Sequence, residues 1–296
     1  MRELITVAGL DFAGKVKAFF ELLKPRLSML VAFSCAFGFS LASGSQINWF
    51  TLTALTIGGF LLSGESVALN QVMERDYDKI MTRTMDRPIP TGRLSIKEAI
   101  LFAITCLVLS LIILWVSTNV LTVFLSFVSM MLYVMVYTPL KRVGPVAVFV
   151  GAFPGALPPL LGWIAATGEI TYEALIIFGI QFIWQFPHFW AIAWVADDDY
   201  KKAGFKLLPS GGGKDHNTAI QIMTYTLFLL PLGLLPVWIG LTGINSAVIT
   251  TLCGVGFLSQ TFSLMKTGSH QSAKRIMLGS FLYLPIVQIS YLLDKL

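Results

Sequence analysis

Charged side chains are scarce in this sequence: 12% of its 296 residues, against roughly 25% in ordinary soluble domains. That is too little charge to cover a water-facing surface. Cysteine is nearly absent too. Cys35, Cys106 and Cys253 lie far apart inside apolar runs, which gives neither a metal spacing nor an even disulfide set, so they read as buried, inert thiols. The alternating pattern of a membrane barrel is also missing. These absences, with the composition, exclude disorder, collagen, coiled coil and a secreted disulfide scaffold. Apolar residues are abundant instead: 55% of the chain is hydrophobic and the mean hydropathy is +0.75. Length alone allows one or two soluble domains, but the long apolar runs call for lipid, and the chain reads as an integral membrane protein.

About 20 apolar residues cross a bilayer as a helix. Nine stretches qualify: about 27–45, 49–70, 98–117, 120–138, 146–167, 173–195, 218–239, 244–264 and 276–293. Short polar connections such as Ser43-Gly44-Ser45-Gln46 and Thr242-Gly243 imply close helical hairpins. Helices are required because a lipid-facing backbone must satisfy its own hydrogen bonds. The expected fold is therefore all-α, a polytopic bundle of nine transmembrane helices spanning 1–296 as a single domain.

The basic residues predict the topology. They cluster before span one (Arg2, Lys15, Lys17, Lys24, Arg26), after span two (Arg75, Lys79, Arg83, Arg87, Arg93, Lys97) and after span four (Lys141, Arg142). They recur after span six (Lys201, Lys202, Lys206, Lys214) and after span eight (Lys266, Lys274, Arg275). Of 21 Lys and Arg residues only Lys295 lies elsewhere, and the other four connections have none. The positive-inside rule then puts the N-terminus in the cytoplasm. The net charge of +5 is topological, which excludes nucleic acid as a partner. Residues 1–25 lack the pattern of a cleaved signal peptide. Val16, Phe19, Phe20, Leu22 and Leu23, interleaved with lysines, suit a short cytoplasmic or interfacial helix. No Arg- and Ser-rich transit segment precedes span one, so a bacterial plasma membrane is expected.

Two acidic clusters fall in the basic connections. Asn70, Glu74 and Asp78 follow one another at four-residue steps, and on a continuing helix they share a face. Asp197, Asp198 and Asp199 follow span six on the same side of the membrane. Mg²⁺ takes oxygen ligands and binds through one or two carboxylates plus substrate phosphates. A prenyl diphosphate suits such a place, its head held by the metal and by Arg and Lys, its tail among apolar helices. Solvated charge beside the membrane is the plainer alternative. Pro88, Pro90 and Gly92 stop any helix and hold Arg83 and Arg87 on an irregular segment. Lys141 and Arg142 follow Tyr137-Thr138-Pro139-Leu140 on the same face.

The run Asn70-x-x-x-Glu74-x-x-x-Asp78, then Arg83-Thr84-x-x-Arg87-Pro88-x-Pro90, resembles the UbiA superfamily of intramembrane prenyltransferases over nearly the whole chain. Further fragments resemble its heme farnesyltransferase branch. These are Leu23-Lys24-Pro25-Arg26, Glu74-Arg75-Asp76, Tyr137 through Arg142, Trp184-Gln185-Phe186-Pro187-His188-Phe189-Trp190, and Asp199-Tyr200 running on to Leu208-Pro209. The resemblance implies a UbiA-like bundle in which farnesyl diphosphate alkylates a vinyl group of heme B, water completing the product. It implies Mg²⁺ on Asn70, Glu74, Asp78, Asp198 and Asp199, with Asn70, Glu74, Asp78 and Asp199 catalytic. Arg83, Arg87, Lys141, Arg142 and Lys202 would bind the diphosphate; His188, Tyr137 and Trp184 would meet heme or prenyl group. Heme A synthase or the assembly of a terminal oxidase would be its protein partners. Two departures stand out: Gln71 and Glu74 replace aspartates of the relatives that prenylate aromatic rings, and Val195 replaces the first aspartate of their second motif.

Four positions keep more than one reading. His188, the only histidine inside a span, suits heme iron, a propionate, or simple pairing with another helix. Glu65, a little over one turn before Asn70, suits function or helix pairing equally. Tyr137 and Trp184 suit either a cationic intermediate or lipid packing. Prenylation of an aromatic acid or quinone precursor is the competing activity. A transporter is the competing class, although the acidic clusters cap two spans on one face and no internal repeat is evident.

Overall fold

Backbone hydrogen bonds that cannot be shared with lipid drive every long apolar run into a helix. The computed structural model describes residues 11–44, 46–211 and 213–296. Arg2 and Ser45, named above, lie outside them. A short helix α1 (Phe12–Leu22) comes first. Among the described residues nine helices are long and apolar enough to span a bilayer: α2 (Pro25–Ala42), α3 (Trp49–Asp78), α4 (Ile96–Ser117), α5 (Val120–Leu140), α6 (Val146–Thr167), α7 (Tyr172–Val195), α9 (His216–Trp238), α10 (Ile244–Thr267) and α11 (His270–Leu293). The six-residue α8 (Asp197–Lys202) separates α7 from α9. The protein is thus a multi-pass membrane protein.

Two ends differ usefully from the sequence reading. Helix α3 has no Pro or Gly after Gly64 and so continues to Asp78. At 1.5 Å per residue its 30 residues measure about 45 Å, against a hydrocarbon core of about 30 Å, so its last turns project beyond the lipid. Helix α11 starts six residues before the expected 276 because the Ser269 side chain caps the backbone N–H of Ser272. A side-chain cap satisfies a donor the helix end would otherwise leave unpaired.

Packing is tightest where side chains are smallest. A Cβ at Gly38 of α2 would overlap the Pro159 carbonyl of α6, and one at Gly162 would overlap the Cys35 carbonyl of α2. The two backbones therefore touch, as small residues permit in membranes. Helix α6 carries Pro158 and Pro159 internally, which deprives the carbonyls of Pro154 and Gly155 of their helical donors. Ser129 Oγ (3.5 Å) and Gln181 Nε2 (2.8 Å) donate to them instead. Gln288 on α11 donates to Gln181 Oε1 on α7 and to Ser34 Oγ on α2. Buried polar groups join three helices without leaving the lipid-embedded backbone unsatisfied.

On the face that carries the basic connections, α1 is fastened by ion pairs Lys15–Glu98 (2.6 Å) and Arg93–Glu21 (2.7 Å) and by Phe19 against Phe102. Its other side leaves Phe12, Val16 and Phe20 exposed, the amphipathic pattern the sequence suggested.

Candidate active site

The projecting end of α3 forms the centre of the site. Asn70, Glu74 and Asp78 are all buried, the four-residue step having put them on one inward face. Each side chain meets a different partner. Both Asp78 oxygens accept from Arg87 Nη1, at 2.8 and 2.7 Å. The Asp78 carbonyl accepts from Thr84 Oγ1 at 3.0 Å, so the connection curls back over the helix end. Glu74 pairs with Lys141 at 2.9 Å. Burial pulls the Lys141 ammonium down, but the Glu74 carboxylate outweighs it and holds Lys141 above its ordinary range. Asn70 Nδ2 donates to Thr138 Oγ1 at 3.0 Å. Lys141 also sits 4.7 Å above the Tyr137 ring.

The second acidic cluster docks onto the connection beside the first. Asp199 accepts from the backbone N–H groups of Thr82 (3.2 Å) and Arg83 (3.0 Å). Lys202 donates to Asp199 and to Thr82, each at 2.9 Å. The Lys202 ammonium and these backbone donors lower the Asp199 carboxyl to about 2. Arg83 reaches the Tyr200 hydroxyl at 3.2 Å. Thus buried Asn70, Glu74 and Asp78 form one group with half-buried Arg87, Lys141 and Tyr137, and Arg83, Asp199 and Lys202 adjoin it.

Other residues singled out from the sequence lie outside that group. The Asp198 side chain is 90% exposed and faces Lys214; Asp197 is buried instead, paired with Lys201. Arg142 is exposed, stacked on Tyr77 at 4.6 Å. Trp184 and His188 stack on each other at 4.4 Å and both reach Ser280 on α11. Ser280 Oγ gives its hydrogen to the Met277 carbonyl, so His188 Nδ1 must be the donor in their 2.8 Å contact. This is the helix-pairing reading of His188. Glu65 is fully buried; one oxygen accepts from Ser66 Oγ, the other has no hydrogen-bond partner, and no ion pair reaches it among the described residues.

Lys24 was visible only as part of a fragment. It is the only described residue other than glycine with positive φ (45°), a conformation that costs energy and collects at functional sites. Gln71 Nε2 donates to the Leu22 carbonyl, and Ser28 Oγ to that of Leu23, which pins this turn to α3. Burial, aggravated by the charges of Arg87 and Lys141, brings the Lys24 ammonium down to about 7. The signal in the sequence was a lysine directly before the proline that starts a span.

Below this polar group lies an apolar cavity of about 190 Å³. Its lining includes Val67, Tyr133, Tyr137 and Phe189 and reaches Leu55 and Leu114. From Val67 to Leu55 along α3 is about 18 Å at 1.5 Å per residue. A chain of carbon atoms fits its shape and chemistry.

The donor set can be tested against a hard divalent cation. Among the described residues no three His, Cys, Asp or Glu side chains converge as a ready metal cage. Two buried carboxylates and an amide oxygen on one helix face remain, an all-oxygen set. That is the set Mg²⁺ uses when a phosphate supplies further ligands, so the residues fit a metal that arrives with a diphosphate.

Residues 31–284 match the model of the UbiA prenyltransferase family. The protoheme IX farnesyltransferase of Cytophaga hutchinsonii is 50% identical over 284 residues, covering 96% of this chain and 99% of its own. That of Christiangramia forsetii is 45% identical over 288 residues, covering 96% and 95%. A solved structure of digeranylgeranylglyceryl phosphate synthase superposes with a TM-score of 0.78 at 17% identity, covering 95% of this chain and 98% of the other. A UbiA homolog from Archaeoglobus fulgidus bound to GPP and Mg²⁺ gives 0.67 at 16% identity, covering 93% and 99%. At such identities the structures establish the fold alone.

Proposed function

This chain belongs to the UbiA prenyltransferase family and is a prenyltransferase, and from that premise we propose that it transfers farnesyl from farnesyl diphosphate to a vinyl group of heme B. The observation that carries the proposal is a buried oxygen ladder (Asn70, Glu74, Asp78), faced by Arg87 and Lys141, beside an apolar cavity whose lining includes Tyr137 under the Lys141 ammonium. The full-length relatives named protoheme IX farnesyltransferase support the choice of acceptor. The same chemistry on an aromatic acid is the weaker reading, since Gln71 is committed to the Leu22 carbonyl.

In this reading the donor's C1–O bond breaks and its electron pair leaves with the diphosphate. The allylic carbon then takes the π electrons of the vinyl group. Water adds its oxygen to the remaining cationic carbon and releases a proton, giving the hydroxyethylfarnesyl product. Asn70, Glu74 and Asp78 would hold Mg²⁺, which when bound supplies positive charge to the leaving diphosphate, while Asp199 fastens the adjoining connection instead of holding the ion. Arg87 and Lys141 exchange carboxylate for phosphate oxygens, and Arg83 and Lys202 donate from the docked connection. Fixed donors aimed at developing charge are a large source of rate. The apolar cavity keeps water from the allylic cation, and the faces of Tyr133, Tyr137 and Phe189 attract it, each by about 0.5–2 kcal/mol. The basic face is the cytoplasmic face of a bacterial plasma membrane in this reading.

Membranes containing the protein, given farnesyl diphosphate, Mg²⁺ and either heme B or 4-hydroxybenzoate, test it by mass spectrometry. Heme that gains one farnesyl group and one water is expected. A prenylated benzoate with unchanged heme would overturn the proposal.

A further inference from the structure

Asn70 differs from its neighbours on the ladder in one respect. A carboxylate presents oxygen on both arms, whereas an amide presents one oxygen and one NH₂. Only the oxygen can serve a hard cation, so the way the amide is turned decides whether Asn70 can act at all.

The surroundings determine that turn. Helix α5 winds as a π-helix over Leu132–Tyr137, immediately before Thr138 and Pro139. An α-helical path would press the Pro139 ring on a carbonyl four residues back; the wider turn relieves this. Such single turns often occur at functional sites. Through it the Tyr133 carbonyl accepts the Thr138 backbone N–H and also the Thr138 hydroxyl, at 2.9 Å. Thr138 is 1% exposed, so no water competes for that hydroxyl. Its single hydrogen being spent, Thr138 Oγ1 can only accept from Asn70, and the 3.0 Å contact is therefore with Nδ2. Were the amide reversed, two oxygens would face each other with no hydrogen between them.

We infer that Thr138 is a positioning residue that turns the Asn70 amide so that Oδ1, and not Nδ2, faces the metal and diphosphate. The inference rests on the metal role proposed for Asn70. The partners that orient metal ligands typically contribute 10–100-fold to metal affinity.

The test is Mn²⁺ binding to the detergent-solubilised full chain with inorganic pyrophosphate, followed by the loss of the free-ion EPR signal. Thr138→Val and Thr138→Ala both remove the hydroxyl, the first at nearly constant shape and the second without a methyl against the amide. Each is expected to raise the Mn²⁺ dissociation constant about 10–100-fold. Thr138→Ser should restore it to within about twofold. In an Asn70→Asp background, where oxygen sits on both arms, Thr138→Val should add little. A double-mutant cycle of this kind separates orientation from general loosening. Unaltered Mn²⁺ affinity in whichever hydroxyl-less variant folds, or equal weakening in the Asn70→Asp background, overturns the inference while leaving the metal reading intact. A wild-type chain that binds no Mn²⁺ with pyrophosphate overturns both.

Discussion

Asp78 is wholly buried and gives both oxygens to one guanidinium. Asp199 is 17% exposed and gives its oxygens to two backbone N–H groups and a lysine. The residue type and the membrane face are shared; the partners are not. A side-chain cation can swing aside for another cation or for a phosphate, whereas a backbone amide stays in place. In the proposed reaction the α3 ladder would exchange partners, whereas Asp199 would hold Thr82 and Arg83 where they are.

Substitutions along the two clusters can break this contrast. Asp78→Asn leaves the shape and removes the charge, and prenyl transfer to heme should fall roughly 10²–10³-fold, the scale for a group acting on transition-state charge. Asp199→Asn keeps one oxygen for the connection but loses the charge-assisted bond to Lys202. A loss of about tenfold in kcat/KM is expected, the equivalent of about 1.4 kcal/mol. A loss as large as that of Asp78→Asn would show that Asp199 does more than fasten. Its carboxyl, lowered to about 2, contributes fully above the ordinary carboxylate range and is lost only as pH falls through about 2. Activity lost between pH 8 and 5 should therefore be the same in wild type and Asp199→Asn. Asp198→Asn, at a 90% exposed side chain, should leave the same assay within about twofold, as surface changes usually do.

The parts of this site readable in advance were those governed by helical period and by breakers. An uninterrupted run after Gly64 is enough to put Asn70, Glu74 and Asp78 on one face, and Pro88, Pro90 and Gly92 are enough to keep Arg87 off a helix. The nine apolar runs reappear as helices among the described residues, because lipid leaves the backbone no other choice. What depended on distant partners was not readable. Lys24 enters through a left-handed turn held by Gln71, 47 positions later in the chain. Thr138 acquires its place through a π turn with no period of its own. His188 is committed to a serine 92 residues away, and the phase of a six-residue helix decides that Asp197 turns in while Asp198 turns out.

Where the backbones of α2 and α6 meet at Gly38 and Gly162, no side chain stands between them to change rotamer. Local breathing elsewhere in a bundle comes from such repacking, so this crossing acts as a fixed pivot. Helix α5, mostly lipid-facing, packs on α6, and its widened turn joins the cavity wall to the oxygen ladder. A shift in that turn would change the cavity lining at Tyr133 and Tyr137 and the aim of the Asn70 amide together.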